Sequence, residues 1–301
     1  MVSMTVTLFV FHHQKEIIMS TLTDLRADRE HWSYSSLNQF LNICSLAWAF
    51  QRLYRVTPEF TPVSLSYGSS IHRVFEWINL KRKEQASLKE TEVKDLFAEV
   101  WKNQQAEDAN IRFDETEDAE ALREQGQMLS ACYLQNINPA EEIVAVNQAF
   151  AVPLVDQYGT VLSKPLIGEF DVVVRNVGQK TIVDWKTAGA RWPKGKPHRA
   201  LQPTVYLYAA TSMTNGSRPD FRFDIVVKNK TPVFEQHVTK RNVDQMNRMV
   251  ELVKMAESMI AAEHFYPNQE GMFCKNCPFQ TACKNWHRDR TRLISTASVP
   301  A

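Results

Sequence analysis

The protein has 301 residues, of which 44% are hydrophobic and 23% are charged, and its formal net charge is +1. This composition is typical of a soluble globular protein and excludes the collagen-like, intrinsically disordered and membrane-spanning classes. The length exceeds that of an average domain and suits one enlarged α/β unit, or a core that carries an insertion.

The first segment of the chain is expected to lie outside the fold. Residues 5–10 are apolar, but the run is short, has no basic residues before it and is followed by histidines and a lysine. It is therefore a poor signal peptide and too short to cross a bilayer. We predict a disordered or artefactual tail over residues 1–30, in which Met19 could equally be the start of translation.

Helical periodicity begins at residue 33. Residues 33–55 contain serines able to cap a helix and apolar side chains at helical spacing, which predicts one helix that carries Cys44. Residues 67–80 predict a second helix, capped by Ser69 or Ser70.

Charge is unevenly distributed along the chain. Between positions 84 and 124, thirteen acidic residues stand against five basic ones, within a largely helical stretch that we interpret as an insertion over about residues 81–140. Basic residues outnumber acidic ones by five to one over residues 184–200 and again over residues 271–293. These basic stretches could attract a polyanion, although either could equally be a solvated charged face.

The pattern changes to a β type after residue 142. Strands are predicted over residues 143–152, 167–175 and 181–187, and a turn at Asn176 and Gly178 makes the last two antiparallel neighbours. The remaining predicted elements are a helix over 200–213, strands over 221–228 and 233–238, and an amphipathic helix over 242–263.

Two acidic residues and a lysine lie on the predicted hairpin. Residues two apart in a strand share a face, so Asp184 and Lys186 project to the same side. Asp171 of the neighbouring strand can lie on that face, with Phe170 and Val172 packing beneath the sheet. The three polar side chains are therefore expected to meet in one cavity.

The pairing of Asp171 with Asp184 indicates a cation site. Two close carboxylates repel each other unless a cation lies between them, and a hard Mg²⁺ or Mn²⁺ ion is the natural occupant. Such an ion polarises a scissile phosphate and activates water, while the ammonium of Lys186 can orient that water or balance developing charge. Two carboxylates and a lysine in this arrangement indicate phosphodiester hydrolysis. The alternative is a surface ion pair between Asp171 and Lys186 on an ordinary hairpin.

Two helical patterns add candidate residues. His72 follows Gly68 in G-x-x-x-H and could supply a neutral imidazole as a third metal ligand, or it is a core or capping histidine. Gln202 and Tyr206 form Q-x-x-x-Y on one helix face, with Pro203 expected in the first turn. Their amide and phenol suit phosphate or base contacts, or they simply pack the helix.

The segment after the third predicted strand combines basic and aromatic side chains. The residues that could form a wall for a single nucleic-acid strand are Trp192, Lys194, Lys196, His198 and Arg199. The alternative is a solvated loop with one packed tryptophan.

The ordered motifs G-x-x-x-H, G-x-x-D at Gly168 and Asp171, D-x-K and Q-x-x-x-Y resemble the RecB-like branch of the PD-(D/E)xK nucleases over most of the chain. The resemblance implies an α/β restriction-endonuclease-like core, with a central mixed sheet flanked by helices. It implies a metal-dependent deoxyribonuclease, with exonuclease action on single-stranded or frayed DNA expected. The roles it implies are metal ligation by His72, Asp171 and Asp184, catalysis by Lys186, and DNA contacts by Gln202 and Tyr206.

The sequence also bears on partners and on a rival function. No helicase P-loop is present, so a helicase or integrase partner would be a separate chain. Recombinational repair, CRISPR adaptation and phage DNA processing all remain open. The rival is a non-catalytic, zinc-stabilised nucleic-acid-binding or scaffold module, against which the intact set of Asp171, Asp184 and Lys186 argues.

Four cysteines form a second candidate site, with Cys44 upstream and Cys274, Cys277 and Cys283 in a C-x2-C-x5-C run. Five cysteines are too few for a disulfide scaffold in a chain of this length. Their clustering suits thiolate ligation in a reducing compartment, which predicts a cytoplasmic protein. Four thiolates suit either tetrahedral zinc or a 4Fe–4S cluster.

The identity of the fourth ligand is open, because His287 extends the run to C-x2-C-x5-C-x3-H, a local zinc set that leaves Cys44 unused. The leading SYSSLNQFLNIC and the trailing cysteine run resemble the iron-sulfur members of the branch, such as the AddB nuclease domain and CRISPR-associated nucleases. That resemblance implies a 4Fe–4S cluster with Cys44 as a ligand. One nuclease domain is expected over residues 31–290 with a tail at 291–301, and Cys132 is expected in the core.

Overall fold

The structure, a computed structural model, describes residues 30–114, 118–214 and 218–286. Apart from Glu30, the tails expected at 1–30 and 291–301 lie outside these residues, and so do Met19 and His287.

A five-stranded mixed sheet forms the centre of the described chain, in the spatial order β3-β4-β5-β6-β7. Strands β5 and β6 are parallel, and the other neighbours are antiparallel. A separate short parallel pair joins β1 and β2. The strands are β1 (Thr61–Pro62), β2 (Ile111–Arg112), β3 (Glu142–Val152), β4 (Leu166–Asn176), β5 (Gln179–Ala188), β6 (Asp220–Val227) and β7 (Val233–Thr239).

Helices cover both faces of this sheet, as expected of an α/β core. The α-helices in the described residues are α1 (Tyr34–Asn38), α2 (Ser45–Trp48), α3 (Val63–Lys83), α4 (Glu90–Glu107), α5 (Ala119–Asn136), α6 (Lys196–Arg199), α7 (Gln202–Met213), α8 (Val243–Ala261) and α9 (Gln280–Trp286). Two π-helical turns, Gln39–Ile43 and Ala49–Leu53, follow α1 and α2. None of the described helices is both long enough and apolar enough to span a bilayer.

The core has two layers, one on each side of the sheet. On one side, α7 and α8 pack with the amino-terminal helices, and Leu37, Leu207 and Val250 belong to this layer. On the other side, α3 packs with α4 and α5, and the Tyr67 ring meets the rings of Phe97 and Trp101 edge to face at 5.8 and 5.6 Å. The stretch interpreted as an insertion thus completes one layer of the core, and Cys132 is buried in it as predicted.

The structure confirms the predicted strands and the antiparallel hairpin of β4 and β5. The predicted helices over 200–213 and 242–263 correspond to α7 and α8. Helix α8 begins with a capping box, in which Asn242 and Gln245 each bond the other's backbone N–H.

Two predicted helix positions are wrong. Cys44 does not lie within a continuous helix, because its backbone is extended and its sulfur accepts a hydrogen bond from the N–H of Ala47 at 3.4 Å, capping α2. Helix α3 begins at Val63, several residues before the predicted serine cap, and Ser70 lies buried inside it. The Ser70 hydroxyl donates a hydrogen bond to the Ser66 carbonyl at 3.0 Å. The serine expected to cap the helix therefore forms its hydrogen bond inside the helix instead.

Candidate active site

Strands β4 and β5 separate at the candidate site. Their antiparallel pairing reaches Val172 and Val183 and ends there. Just beyond this point the Asp171 side chain enters the gap, and its Oδ2 accepts a hydrogen bond from the backbone N–H of Trp185 at 2.8 Å. A carboxylate therefore replaces the backbone partner that a continued ladder would have supplied.

Asp184 is buried beside this gap, with 1% of its surface exposed. Its Oδ1 accepts a hydrogen bond from Nε2 of Gln202 at 2.5 Å. Its Oδ2 forms an ion pair with Nζ of Lys186 at 2.6 Å. The predicted shared face of Asp184 and Lys186 is confirmed, since Val183 and Trp185 pack into the opposite layer with α3.

His72 approaches the other carboxylate from α3. Its Nδ1 lies 3.7 Å from Oδ2 of Asp171, and its ring meets the Trp185 ring edge to face with centroids 5.7 Å apart. The side chain is 38% exposed, so the imidazole is partly open to solvent. The fold thus brings His72, Asp171, Asp184 and Lys186 together, and the interpretation as a surface ion pair on a hairpin does not apply.

The protonation states of these groups follow from burial and from Lys186. Burial raises the pKa of Asp171 and of Asp184 to about 6, although the Lys186 ammonium opposes both shifts. Burial lowers the pKa of His72 to about 4, and Lys186 acts in the same direction. Burial also lowers the pKa of Lys186, but Asp184 and Asp171 outweigh it and the net shift is upward. At neutral pH the site therefore holds two carboxylates, a neutral imidazole and an ammonium.

This donor set suits a hard divalent cation. Carboxylate oxygens are the preferred ligands of Mg²⁺ and Mn²⁺, and Asp171 and Asp184 both supply them here. As the side chains stand, no group of three or more His, Cys, Asp or Glu residues in the described ranges is arranged to hold a metal. A shared ion would require Asp184 to exchange its contact with Lys186 for the cation.

Gln202 and Tyr206 differ in their surroundings. Helix α7 begins at Gln202 with proline in its first turn, as predicted, and Gln202 contacts Asp184 directly. The Tyr206 ring packs in the core, 5.5 Å from the Phe170 ring, and burial raises the Tyr206 pKa well above its usual value.

The expectation that Phe170 packs on the same side of the sheet as Val172 is wrong, because Phe170 lies in the layer of α7 and Val172 in the layer of α3.

The basic segment after β5 is anchored on the sheet edge. The Trp192 ring packs on the Phe223 ring with centroids 5.0 Å apart, and the Lys196 ammonium lies 3.9 Å from the Trp192 centroid. His198 contacts Thr239 at 3.1 Å, which fixes the segment against β7. Lys194, Lys196 and Arg199 are exposed on this segment, and β6 separates β7 from the strand that carries the acidic site.

The sequence patterns did not reveal Tyr34, which contributes from the far end of the chain. Its ring meets the Tyr206 ring edge to face at 6.4 Å. Burial raises the pKa of Tyr34, while Lys186 lowers it and Asp184 raises it, which places the phenol beside both charges. No spacing rule links an amino-terminal tyrosine to a strand more than one hundred residues away.

The cysteine region joins the two ends of the described chain. Cys44 donates a weak hydrogen bond to the Tyr266 carbonyl at 3.6 Å, and the Asn268 amide donates to the Ile43 carbonyl at 2.9 Å. Burial raises the pKa of Cys277, and the nearby Cys44, Cys274 and Cys283 act in the same direction. The four cysteines therefore lie near one another, whereas His287 is outside the described residues.

Comparison with protein-family profiles gives a match that covers most of the chain. A family profile described as the PD-(D/E)XK nuclease superfamily matches residues 31–284. No curated protein sequence gives a significant match.

Two solved structures show a weaker likeness. A crystal structure from Eubacterium rectale, of a protein described as a candidate exonuclease, is 12% identical; the likeness covers 83% of this chain and 89% of that chain, with a TM-score of 0.48. The crystal structure of SSO0001 is 16% identical over 77% of this chain and 90% of that chain, with a TM-score of 0.35. Both scores are below 0.5, so the family assignment rests on the profile match.

Proposed function

Because the chain belongs to the PD-(D/E)XK nuclease superfamily, we propose that it is a divalent-metal-dependent DNA nuclease that uses Asp171, Asp184 and Lys186. One observation carries the proposal. The buried carboxylate of Asp184 and the half-buried carboxylate of Asp171 lie where β4 and β5 part, with an ammonium 2.6 Å from the first and an imidazole 3.7 Å from the second. A module that only binds nucleic acid has no need to bury such a set, because burial opposes the ionised carboxylates.

The cofactor in this proposal is Mg²⁺ or Mn²⁺, with Asp171, Asp184 and His72 as its ligands. His72 suits the role because its pKa of about 4 leaves the imidazole neutral at physiological pH. A bound divalent ion would polarise the scissile phosphate and balance the negative charge that develops on it. The hydrogen bond from the Trp185 N–H to Asp171 and that from Gln202 to Asp184 hold the carboxylates in orientation.

Lys186 is the proposed catalytic lysine. Its raised pKa keeps the ammonium charged at neutral pH, and its side chain remains 29% exposed. From that position it can donate hydrogen bonds to an attacking water or to a phosphate oxygen, so it can orient the nucleophile and offset charge in the transition state.

The proposed substrate is single-stranded or frayed DNA, cleaved as by an exonuclease. Exposed Lys194, Lys196 and Arg199 could attract the phosphate backbone. Of the two helix residues, Gln202 lies nearer the proposed catalytic groups, since it contacts Asp184 directly, although both side chains are buried. Recombinational repair, CRISPR adaptation and phage DNA processing are possible settings, each with a helicase or integrase as a separate chain.

For the cysteine region we propose a 4Fe–4S cluster bound by Cys44, Cys274, Cys277 and Cys283. The proximity of the four thiols and their position between the two ends of the described chain support it. The alternative is zinc, with His287 in place of Cys44. Iron, sulfide and zinc analysis of protein purified without oxygen distinguishes the two.

The test is cleavage of end-labelled single- and double-stranded DNA in Mn²⁺ and in EDTA. We expect cleavage in Mn²⁺, faster on the single strand, and none in EDTA. Lys186→Ala should be inactive, whereas the matched variant Lys180→Ala, on an exposed part of the same strand, should cleave normally. DNA binding without metal-dependent cleavage by the wild-type protein would contradict the proposal and favour a scaffold.

A further inference from the structure

Asn147, in the middle of β3, has an unusual backbone. Its φ of 49° lies in the left-handed region, which residues with a side chain seldom adopt and which asparagine tolerates better than most. Val146 pairs with Val172 and Gln148 pairs with Phe170, so Asn147 lies across from Asp171. The unusual backbone and the proposed metal-binding carboxylate are therefore cross-strand neighbours.

Both strands change face at this position. In β4, Val172 packs into the layer of α3, but Phe170, two residues away, packs into the layer of α7. In β3, Val146 packs against the layer of α3, but Phe150, four residues away, packs into the layer of α7. Residues an even number apart in a regular strand share one face, so a regular ladder could not place them this way.

This change of face determines where Asp171 points. Asp171 lies where the two packing patterns meet, and its Oδ2 accepts a hydrogen bond from the Trp185 N–H at 2.8 Å and lies 3.7 Å from Nδ1 of His72 on α3. Asp184 lies on a strand that keeps its alternation and faces Gln202 of α7. The two carboxylates thus lie side by side at the end of the β4–β5 pairing, Asp171 turned towards α3 and Asp184 towards α7.

We propose that Asn147 is a positioning residue for Asp171, because its left-handed backbone produces the change of face that directs this carboxylate into the gap. The proposal rests on the proposed function, in which Asp171 is a metal ligand. The backbone conformation carries the effect, so a residue that tolerates the left-handed region should replace asparagine, and one that does not should displace Asp171.

The experiment compares Asn147→Gly with Asn147→Val. Glycine adopts a positive φ freely, whereas a β-branched residue does so at high cost. The matched control is Gln148→Val, which places the same side chain on the next residue of β3, where no left-handed backbone occurs. Two readouts are used: hydrogen exchange of the Trp185 amide in the absence of metal, and Mn²⁺ affinity at a temperature where every variant is folded.

Glycine should preserve Trp185 amide protection and keep Mn²⁺ affinity within about twofold, whereas valine should remove the protection and weaken Mn²⁺ binding about tenfold or more. Gln148→Val should behave as the wild type. If Asn147→Val does not fold, Asn147→Ala provides the same comparison in milder form. The proposal would be overturned if the valine or alanine variant kept the Trp185 amide protection and the Mn²⁺ affinity of the wild type. It would also be overturned if the glycine variant lost protection and affinity as much as the valine variant does.

The amide readout separates this proposal from the proposed function. If the wild-type protein does not cleave DNA, but Trp185 protection is kept in Asn147→Gly and lost in Asn147→Val, the nuclease assignment fails while Asn147 still positions Asp171. If DNA is cleaved and Trp185 protection is the same in all variants, the nuclease assignment stands and the role of Asn147 is rejected.

Discussion

The acidic site and the cysteine region are assembled in different ways. Asp171 and Asp184 lie on neighbouring strands between two packed helical layers, and hydrogen bonds from Trp185 and Gln202 fix them. The cysteines lie in a break between short helices, in irregular chain and on α9, and Cys44, Cys277 and Cys283 pack against one small hydrophobic cluster. The core itself therefore builds the first site, whereas the second is assembled from segments near the two ends of the described chain.

This difference suggests separate tasks for the two regions. A site held by the core can keep reactive groups at fixed distances, which catalysis requires. A centre that joins Cys44 to Cys283 closes a loop of more than two hundred residues, which chiefly restricts the unfolded chain. We therefore expect substitutions in the first region to change rate and those in the second to change stability.

The largest effect is expected from Lys186→Ala. Removing the ammonium should lower the cleavage rate by about 10²–10³-fold, the loss typical when one preorganised electrostatic group is deleted. The metal content of the cysteine region should stay unchanged. Initial rates in Mn²⁺ and elemental analysis of the same preparation measure both quantities. Cleavage at the wild-type rate would remove Lys186 from the mechanism.

A large loss of stability is expected from Cys283→Ala. The loss of a cross-link that closes so long a loop should cost up to about 5 kcal/mol by analogy with a disulfide, or roughly 10 °C in Tm. The matched variant Cys132→Ala also removes a cysteine that is mostly buried, but one outside the proposed centre, and should cost far less. Thermal unfolding with metal analysis tests this, and equal Tm losses in the two variants would argue against a clamp.

Gly168→Ala should destabilise the protein through packing. A Cβ at this position would lie 2.4 Å from Cζ of Phe150, so the ring would have to move. Overpacking of this kind costs about 1–3 kcal/mol. Chemical denaturation should detect it, and unchanged stability would mean that the β3–β4 core is looser than these contacts indicate.

The raised carboxylate pKa values give a smaller, pH-dependent effect. The pKa of Asp171 is about 6 in the folded protein and 3.8 in its ordinary state. Between these pH values the folded protein therefore binds more protons than the unfolded chain does, so this residue lowers the free energy of unfolding as the pH rises from about 4 to 6. Without metal, the stability gain in Asp171→Asn should therefore grow from pH 4 to 6. Denaturant titrations across this range measure it, and a gain independent of pH would exclude the shift.

The smallest effect is expected at the other motif glycine. A Cβ on Gly68 would meet nothing within 4 Å, so Gly68→Ala should stabilise α3 by about 0.5–1 kcal/mol. Thermal unfolding checks the sign. A loss of stability would show that Gly68, like Gly168, is required for packing.

The parts of the site that follow from regular periodicity could be predicted from the sequence. The two-residue repeat of a strand placed Asp184 and Lys186 on one face, and the turn at Asn176 and Gly178 paired their strand with that of Asp171. These inferences hold because they need only local geometry and an antiparallel neighbour.

The remaining features depend on backbone conformations that no periodicity encodes. The extended Cys44 interrupts a run whose apolar spacing still looks helical. The left-handed Asn147 exchanges the faces of Phe170 and Val172, which strict alternation assigns to one side. Tyr34 reaches Lys186 only through the tertiary packing of α1. Such departures concentrate around the functional site, where local rules are most often broken.

The separation of tasks between the two regions is tested most directly by the cleavage rate of Cys283→Ala, measured in Mn²⁺ well below its unfolding temperature. The variant should have lost most of its bound iron or zinc and much of its thermal stability, yet cleave DNA at a rate close to that of the wild type, while Lys186→Ala under the same conditions is inactive. A folded Cys283→Ala protein without cleavage activity would contradict the account, because the cysteine region would then take part in the chemistry.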